Sequence, residues 1–213
     1  HVDFSVEMER VLSVLDVAVL VISASAGVQS QVSAIWKLLK HYDIPAFIFV
    51  NKMDQPDTSK EKILIELKEK LDSNIIDYAD AGSDKAEYDR FIEEVSLTDE
   101  TVLEAYMETG SVDFTDIQNL VRNRKLFPVF FGSALKYEGV DEFLKSFAAL
   151  VIPPVYGNEF AARVFKIARD DAGSRLTYMK LMGGSLSVRE MIEDEKVTGI
   201  RIYSGEKYEN RDR

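Results

Sequence analysis

The sequence predicts an α/β fold: a doubly wound parallel-sheet domain, followed by a second domain that is an incomplete antiparallel β-barrel. Over the first two thirds of the chain, apolar residues alternate between helical stripes and short continuous runs, as in helices and buried parallel strands. After Pro153 and Pro154 the apolar period changes towards two, which is typical of half-exposed strands. We therefore predict domains over residues 1–152 and 159–213, with a linker at 153–158.

The first four elements follow from apolar spacing. Helical spacing predicts a helix over residues 4–15, and the continuous apolar run 17–22 predicts a strand buried on both faces. A second helical stripe extends from Val28 to Leu39. The continuous apolar run over residues 44–50 predicts the next buried strand. Pro45 lies near its start, where a missing N–H does little harm.

The rest of the first domain alternates in the same way. Residues 59–71 predict a helix, whereas the segment 72–110 is rich in Asp and Glu and has only short helical stretches. We interpret that segment as an insertion or a peripheral helical layer. A third apolar run over 127–131 predicts a strand, and a helical stripe from Val140 to Phe147 completes the domain.

The second domain begins with a predicted hairpin. Residues 160–168 and 174–182 have strand patterns, and the turn 170–173 between them ends in a glycine that can adopt positive φ. Residues 197–204 predict a further strand. The charged tail 206–213 is expected to contain no strand, which would leave one edge of the barrel open.

Composition limits the classes of protein. The chain has 213 residues, 46% hydrophobic and 30% charged, as in soluble globular proteins. There is no run of about 18 apolar residues that could span a membrane. The absence of cysteine excludes disulfides and thiolate chemistry and favours a cytoplasmic protein. The net charge of −11 is opposite to that of a nucleic-acid binder, so we predict no direct nucleic-acid patch.

The strongest motif is Asn51-Lys52-Met53-Asp54, directly after a predicted buried strand. Ligands of open α/β sheets bind beyond the carboxyl ends of the strands. The carboxylate of Asp54 can accept hydrogen bonds from N1–H and the 2-amino group of guanine, whereas adenine would leave the charge unpaired, a difference of roughly a few kcal/mol. Asn51 can tie the loop to its neighbours, and Lys52 can lay its alkyl stem across the ring.

A second motif follows the strand 127–131. Ser133 can brace the carboxylate of Asp54, and the backbone N–H of Ala134 can donate to guanine O6; Leu135 completes the motif. Either loop alone is compatible with an ordinary polar turn at the end of a strand. Two such loops in this order, after two buried strands, predict a guanine-binding site.

The chain resembles the translational GTPases, in particular elongation factor G-like proteins. The matching segments, in the order that family uses, are His1-Val2-Asp3-Phe4, Gly27-Val28-Gln29, 51–55, 130–135 and 164–167. The likeness covers essentially the whole chain. Gln55 and the Gly-Ser-Ala-Leu-Lys segment are most similar to the tetracycline-resistance ribosomal protection proteins, since elongation factor G tends to have arginine at the position of Gln55.

The resemblance implies that the intact parent binds GTP or GDP with Mg²⁺ and hydrolyses GTP on the ribosome. Residues 1–152 would then be the C-terminal part of a P-loop GTPase domain. The residue matching the family's catalytic histidine is His1, which would orient the attacking water. The implied guanine contacts are Asn51, Lys52, Asp54, Ser133, Ala134 and Leu135, and we predict no metal ligand in this chain.

The phosphate-binding half of such a site has no counterpart in the sequence. No Gly-x-x-x-x-Gly-Lys followed by Ser or Thr occurs, and neither does a switch threonine segment. The chain also begins at a histidine, in the middle of a motif, and has no leader sequence. We expect a fragment, cut from a longer protein, that neither binds GTP tightly nor hydrolyses it.

Three functional hypotheses remain open from the sequence. The first is a ribosomal protection protein that releases tetracycline from the ribosome. The second is elongation factor G itself or a release-factor-like GTPase. The third is a degenerate GTPase domain that acts as a non-catalytic interaction module, and it is favoured by the missing phosphate loop and the acidic segment 72–110.

Overall fold

A computed structural model describes residues 6–78, 84–205 and 207–212 of the chain. The chain divides into two units, residues 1–153 and 154–213. Among the described residues, no helix has both the length and the apolar character needed to cross a membrane.

The first unit is built on a parallel sheet. Its strands, in spatial order β1-β2-β4-β3, are β1 (Ala18–Ser23), β2 (Ala46–Asn51), β4 (Phe127–Phe131) and β3 (Ile75–Asp77). Every neighbouring pair is parallel. Because β2 and β4 are neighbours and run in the same direction, the loops that follow them leave the same edge of the sheet side by side.

Helices connect and cover these strands. They are α1 (Val6–Leu12), α2 (Ser30–His41), α3 (Lys60–Lys70), α4 (Lys85–Ser96), α5 (Glu100–Thr109), α6 (Phe114–Arg122) and α7 (Val140–Leu150). Three of these helices are capped by the side chain of the residue before their first residue. Ser59 caps α3, Asp84 caps α4 and Asp99 caps α5, each by accepting a hydrogen bond from a backbone N–H of the first turn.

Side chains of β2 alternate between two apolar clusters, one on each face of the sheet. Ala46, Ile48 and Val50 pack in the cluster that contains residues of α1, α2 and α3. Phe47 and Phe49 pack in the other cluster, with residues of α4, α6 and α7. Full burial of one such side chain contributes about 1.5–3 kcal/mol. Helices on both faces of a parallel sheet confirm the doubly wound prediction.

The only tryptophan of the chain, Trp36, lies in the first of these clusters and is 3% exposed. Its ring meets the ring of Phe127 edge-on, with centroids 4.7 Å apart. The guanidinium of Arg124 lies 5.0 Å from the Phe127 centroid and 5.6 Å from that of Trp36, and it also donates to the carbonyl of Ile44. These contacts fix α2 against the start of β4.

Two expectations for this unit were wrong. Val19 and Val21 are 39% and 60% exposed, so β1 is buried on one face only. The acidic segment 72–110 contributes not only helices but also the strand β3, which pairs with β4. A strand of three residues is too short to produce a recognisable apolar period, and for this reason the sequence did not reveal it.

The second unit consists of antiparallel pairs. The hairpin of β5 (Ala161–Arg169) and β6 (Arg175–Gly183) confirms the predicted pair of strands. In its turn, the carboxylate of Asp170 accepts from the N–H groups of Ala172 and Ser174, and Gly173 has a φ of 81°. The short strands β7 (Met191–Ile192) and β8 (Glu195–Lys196) form a second pair.

The expectation of a tail without a strand was also wrong. β9 (Ile200–Ser204) pairs with β10 (Lys207–Arg211), so most of the tail is a hairpin strand. The ring of Tyr208 lies 5.4 Å from that of Tyr203, and the guanidinium of Arg201 lies 4.8 Å from Tyr208. Backbone bonds and these ring contacts allow a charged, exposed segment to pair. The described strands of this unit form separate two-stranded sheets, and a barrel stays a prediction.

Candidate nucleotide-binding site

Asn51, the last residue of β2, joins the two loops at the sheet edge. Its Oδ1 accepts from the N–H of Lys52 at 2.7 Å and from the N–H of Ala134, in the loop after β4, at 2.9 Å. Lys52 has a φ of 67°, a left-handed conformation that is uncommon for a residue other than glycine. The bond from its N–H to Asn51 helps to hold this conformation.

The backbones of the two loops are bonded as well. The N–H of Met53 donates to the carbonyl of Gly132 at 3.0 Å, and the N–H of Gly132 donates to the carbonyl of Val50 at 2.9 Å. A Cβ at Gly132 would lie 2.3 Å from the carbonyl oxygen of Glu138 and 3.0 Å from the ring of Phe49. Only glycine permits this close approach, so Gly132 allows the start of the second loop to pack against Glu138 at its end and against Phe49 of β2.

Asp54 is held by the same neighbouring loop. The Ser133 hydroxyl beside its carboxylate is the main reason that the pKa of Asp54 lies below its usual value. The positive charges of Lys136 and Lys52 act in the same direction. Ser133 is fully buried, and its backbone exchanges two 3.0 Å hydrogen bonds with Glu138. The carboxylate is therefore ionised near neutral pH.

Replacing Ser133 by alanine is expected to raise the pKa of Asp54 towards the ordinary aspartate value of about 3.9. A carboxylate with a lowered folded-state pKa stabilises the fold above the unfolded-state value, and this contribution is lost as the pH falls through the folded-state pKa. In Ser133→Ala the contribution becomes smaller. NMR titration of the Asp54 carboxyl carbon measures the shift.

Ser96→Ala is the matched control, because Ser96 is also fully buried but its hydroxyl donates to the carbonyl of Glu93 in α4. Its substitution should leave the titration of Asp54 unchanged. An unchanged titration in Ser133→Ala would show that the hydroxyl does not set the ionisation of Asp54.

The structure brings together five of the residues that the sequence singled out, on two adjoining loops: Asn51, Lys52, Asp54, Ser133 and Ala134. Leu135 is the next residue in the second loop and is 91% exposed. The N–H of Ala134, expected to donate to guanine O6, donates to Asn51 in this structure. His1 lies outside the described residues.

No role was assigned from the sequence to Gly132, Thr58 or Lys136, although Gly132 and Lys136 belong to segments that carry the family resemblance. A glycine directly between a buried strand and a serine was a detectable signal of close backbone approach. Thr58, whose hydroxyl lies 3.0 Å from the carbonyl of Met53, gave no recognisable pattern. Lys136 ends the Gly-Ser-Ala-Leu-Lys segment, but that pattern did not reveal that its charge acts on Asp54.

The described part of the chain contains no group of three or more His, Cys, Asp or Glu side chains that could hold a metal ion.

A parallel sheet with helices on both faces, and polar loops meeting at two adjacent strand ends, defines an open α/β domain in which ligands bind beyond the strand ends. Residues 1–153 match the model of the elongation factor Tu GTP binding domain. The chain belongs to this family of translational GTPases, which confirms the resemblance found in the sequence.

Curated relatives are similar along nearly the whole chain. Tetracycline resistance protein TetP of Clostridium perfringens is 34% identical over 91% of this chain and 32% of its own length. Tetracycline resistance protein TetW of Butyrivibrio fibrisolvens is 31% identical over 96% of this chain and 35% of its own length. The chain thus spans about a third of the length of these relatives.

A crystal structure of a protein from Thermus thermophilus has the same fold. It superimposes with a TM-score of 0.78, covering 100% of this chain and 39% of the other, at 22% sequence identity. At that identity the likeness supports the fold alone.

Proposed function

We propose that this chain is the guanine-recognising part of a ribosome-dependent translational GTPase of the ribosomal protection type, which releases tetracycline from the ribosome in the cytoplasm. The observation that supports base recognition best is the joining of the two loops, in which the N–H of Ala134 donates to Asn51. The Ser133 hydroxyl, which lowers the pKa of Asp54, supports it further. The similarity to proteins named for tetracycline resistance supports the particular type. Guanine nucleotide, GTP or GDP, is the proposed ligand.

Each site residue has a proposed role. The ionised carboxylate of Asp54 accepts hydrogen bonds from N1–H and the 2-amino group of guanine, and Ser133 keeps the carboxylate in place. Lys52 and Leu135 cover the faces of the ring with apolar atoms. The N–H of Ala134 donates to O6 once the base competes with Asn51 for it.

Phosphate binding and hydrolysis belong, in this proposal, to residues outside this chain, except for the water-orienting role of His1 in the intact parent. Base contacts alone are worth little affinity, so GTP should bind this chain no more tightly than GMP. Calorimetric titration with GTP should therefore show no micromolar binding. A micromolar or tighter dissociation constant for GTP would refute the proposal that phosphate binding belongs to residues outside this chain.

Base recognition can be tested on this chain with mononucleotides. GMP is expected to bind with a dissociation constant on the order of 1 mM, equivalent to about 4 kcal/mol. NMR shifts should be confined to the loops 51–55 and 132–136, and AMP at the same concentration should produce none of them. Equal shifts with AMP and GMP would exclude a guanine-specific site.

The proposed activity requires the intact parent. Its GTP hydrolysis should be stimulated by ribosomes, and the absence of stimulation would reject a ribosome-dependent GTPase. The coding sequence upstream of His1 separates this proposal from a non-catalytic module, because a phosphate-binding loop there rules the module out.

A further inference from the structure

A buried acid lies at the same sheet edge as the candidate site. Asp77, the last residue of β3, is 5% exposed and stands in register with Val129 of β4. A carboxylate buried without a partner is strongly destabilising, so an acid in this position is expected to be paired. Its partner is the ammonium of Lys60, the first residue of α3.

Lys60 also contacts the next strand. Its Nζ lies 5.6 Å from the ring centroid of Phe131, the last residue of β4 and the residue before Gly132 and Ser133. The ammonium is thus attracted both by the carboxylate of Asp77 and by the face of an aromatic ring. These two contacts fix the start of α3 to the ends of β3 and β4.

Lys60 directly follows the segment that contains Asp54. We call residues 52–59 the base loop. Its beginning is fixed by the bonds of Asn51 and by the bond from Met53 to Gly132. Its far part is folded back by the hydroxyl of Thr58, which lies 3.0 Å from the carbonyl of Met53 and 2.9 Å from that of Gln55. The ion pair of Lys60 then fixes the far end of the base loop to a strand of the sheet.

We propose that the Lys60–Asp77 pair is a positioning device that holds the Asp54 carboxylate in place and so sets the specificity for guanine; this inference rests on the proposed function. A carboxylate that must meet two donors of guanine at once depends strongly on its position. Hypoxanthine, the base of IMP, lacks the 2-amino group and offers only one of these donors. Loosening the base loop therefore weakens GMP binding more than IMP binding.

The test compares Lys60→Met with Lys68→Met in this chain. Lys68 lies in the same helix and forms an ion pair with Glu94, away from the base loop. In Lys60→Met, the amides of Met53 and Ala134 should exchange with solvent about tenfold faster, while those of β2 keep their wild-type rates. The ratio of GMP to IMP affinity, measured by NMR titration, should fall. Lys68→Met and the conservative Lys60→Arg should preserve both quantities.

A second variant keeps the proposal testable if Lys60→Met does not fold. Lys60→Met combined with Asp77→Asn leaves no charge buried without a partner but still removes the anchor, so it should show the same two changes. The proposal would be overturned if, in this variant, the amides of Met53 and Ala134 exchange at wild-type rates and the ratio of GMP to IMP affinity equals that of the wild type. Equal acceleration of all core amides would also overturn it, because the pair would then act on stability alone.

The two proposals fail in different ways. If the unmodified chain gives no GMP-specific shifts, the proposed function fails, while the exchange rates of Met53 and Ala134 still decide whether the pair anchors the base loop. If the unmodified chain binds GMP and the variants bind it with the same preference over IMP, only the positioning role is wrong.

Discussion

Asp54→Asn is expected to remove the preference for guanine and to create one for xanthine. The carboxylate accepts from two donors of guanine, whereas an asparagine amide presents a donor to one of them. Loss of hydrogen bonds to a charged group costs about 3 kcal/mol, or roughly a hundredfold in affinity. Xanthine has a carbonyl where guanine has its 2-amino group, and this carbonyl accepts from the amide.

Competition between GTP and XTP in the intact parent measures the change, and GMP against XMP measures it in this chain. Asp57→Asn is the matched control: Asp57 lies in the base loop, is exposed and has a φ of 64°, a conformation that asparagine tolerates. It should retain the preference for guanine. Unchanged guanine affinity in Asp54→Asn would mean that the base binds elsewhere.

Gly132→Ala should destabilise the first unit by about 1–3 kcal/mol, the usual cost of overpacking a rigid site. The added Cβ would meet the backbone carbonyl of Glu138 at 2.3 Å, and backbone cannot move aside as a flexible side chain can. The pairing of Ser133 with Glu138 must then widen, which shifts Ala134 away from Asn51. Urea unfolding measures the stability, and GMP titration measures the loss of the base site.

Gly199→Ala is the control for this prediction. A Cβ there meets no atom within 4 Å, and the residue has no left-handed φ, so the free energy of unfolding should change by less than about 0.5 kcal/mol. Identical unfolding curves for Gly132→Ala and the wild type would show that the loop after β4 accommodates a Cβ at this position.

The strands β2 and β4 were predictable because each is a continuous apolar run that the structure buries between two layers of helices. β1 is also a continuous apolar run, yet the side chains of Val19 and Val21 are exposed. The apolar pattern of a strand does not reveal whether a neighbouring layer covers it. β10 was missed for the converse reason, since its pairing depends on backbone bonds and not on an apolar face.

The candidate site was predictable to the extent that it depends on strand order. Asp54 and Ser133 follow strands that the sequence identified, and neighbouring parallel strands bring their following loops together. The sequence indicates that Asn51 can tie the loop to its neighbours, but not that its partner is the N–H of Ala134, because that pairing depends on the backbone geometry of the second loop. The Lys60–Asp77 pair belongs to no motif, and only the register of β3 with β4 places its acid beside the site.

The buried indole described above gives the chain an optical reporter of one unit only. Trp36 lies in the first unit, whereas the aromatic side chains of the second unit are phenylalanines and tyrosines, such as Tyr178, Tyr203 and Tyr208. Fluorescence excited selectively at the indole therefore follows the melting of the α/β unit without a signal from the hairpins. The packing of Trp36 against Phe127 makes its emission blue-shifted in the native state, and a red shift will time the release of α2 from β4.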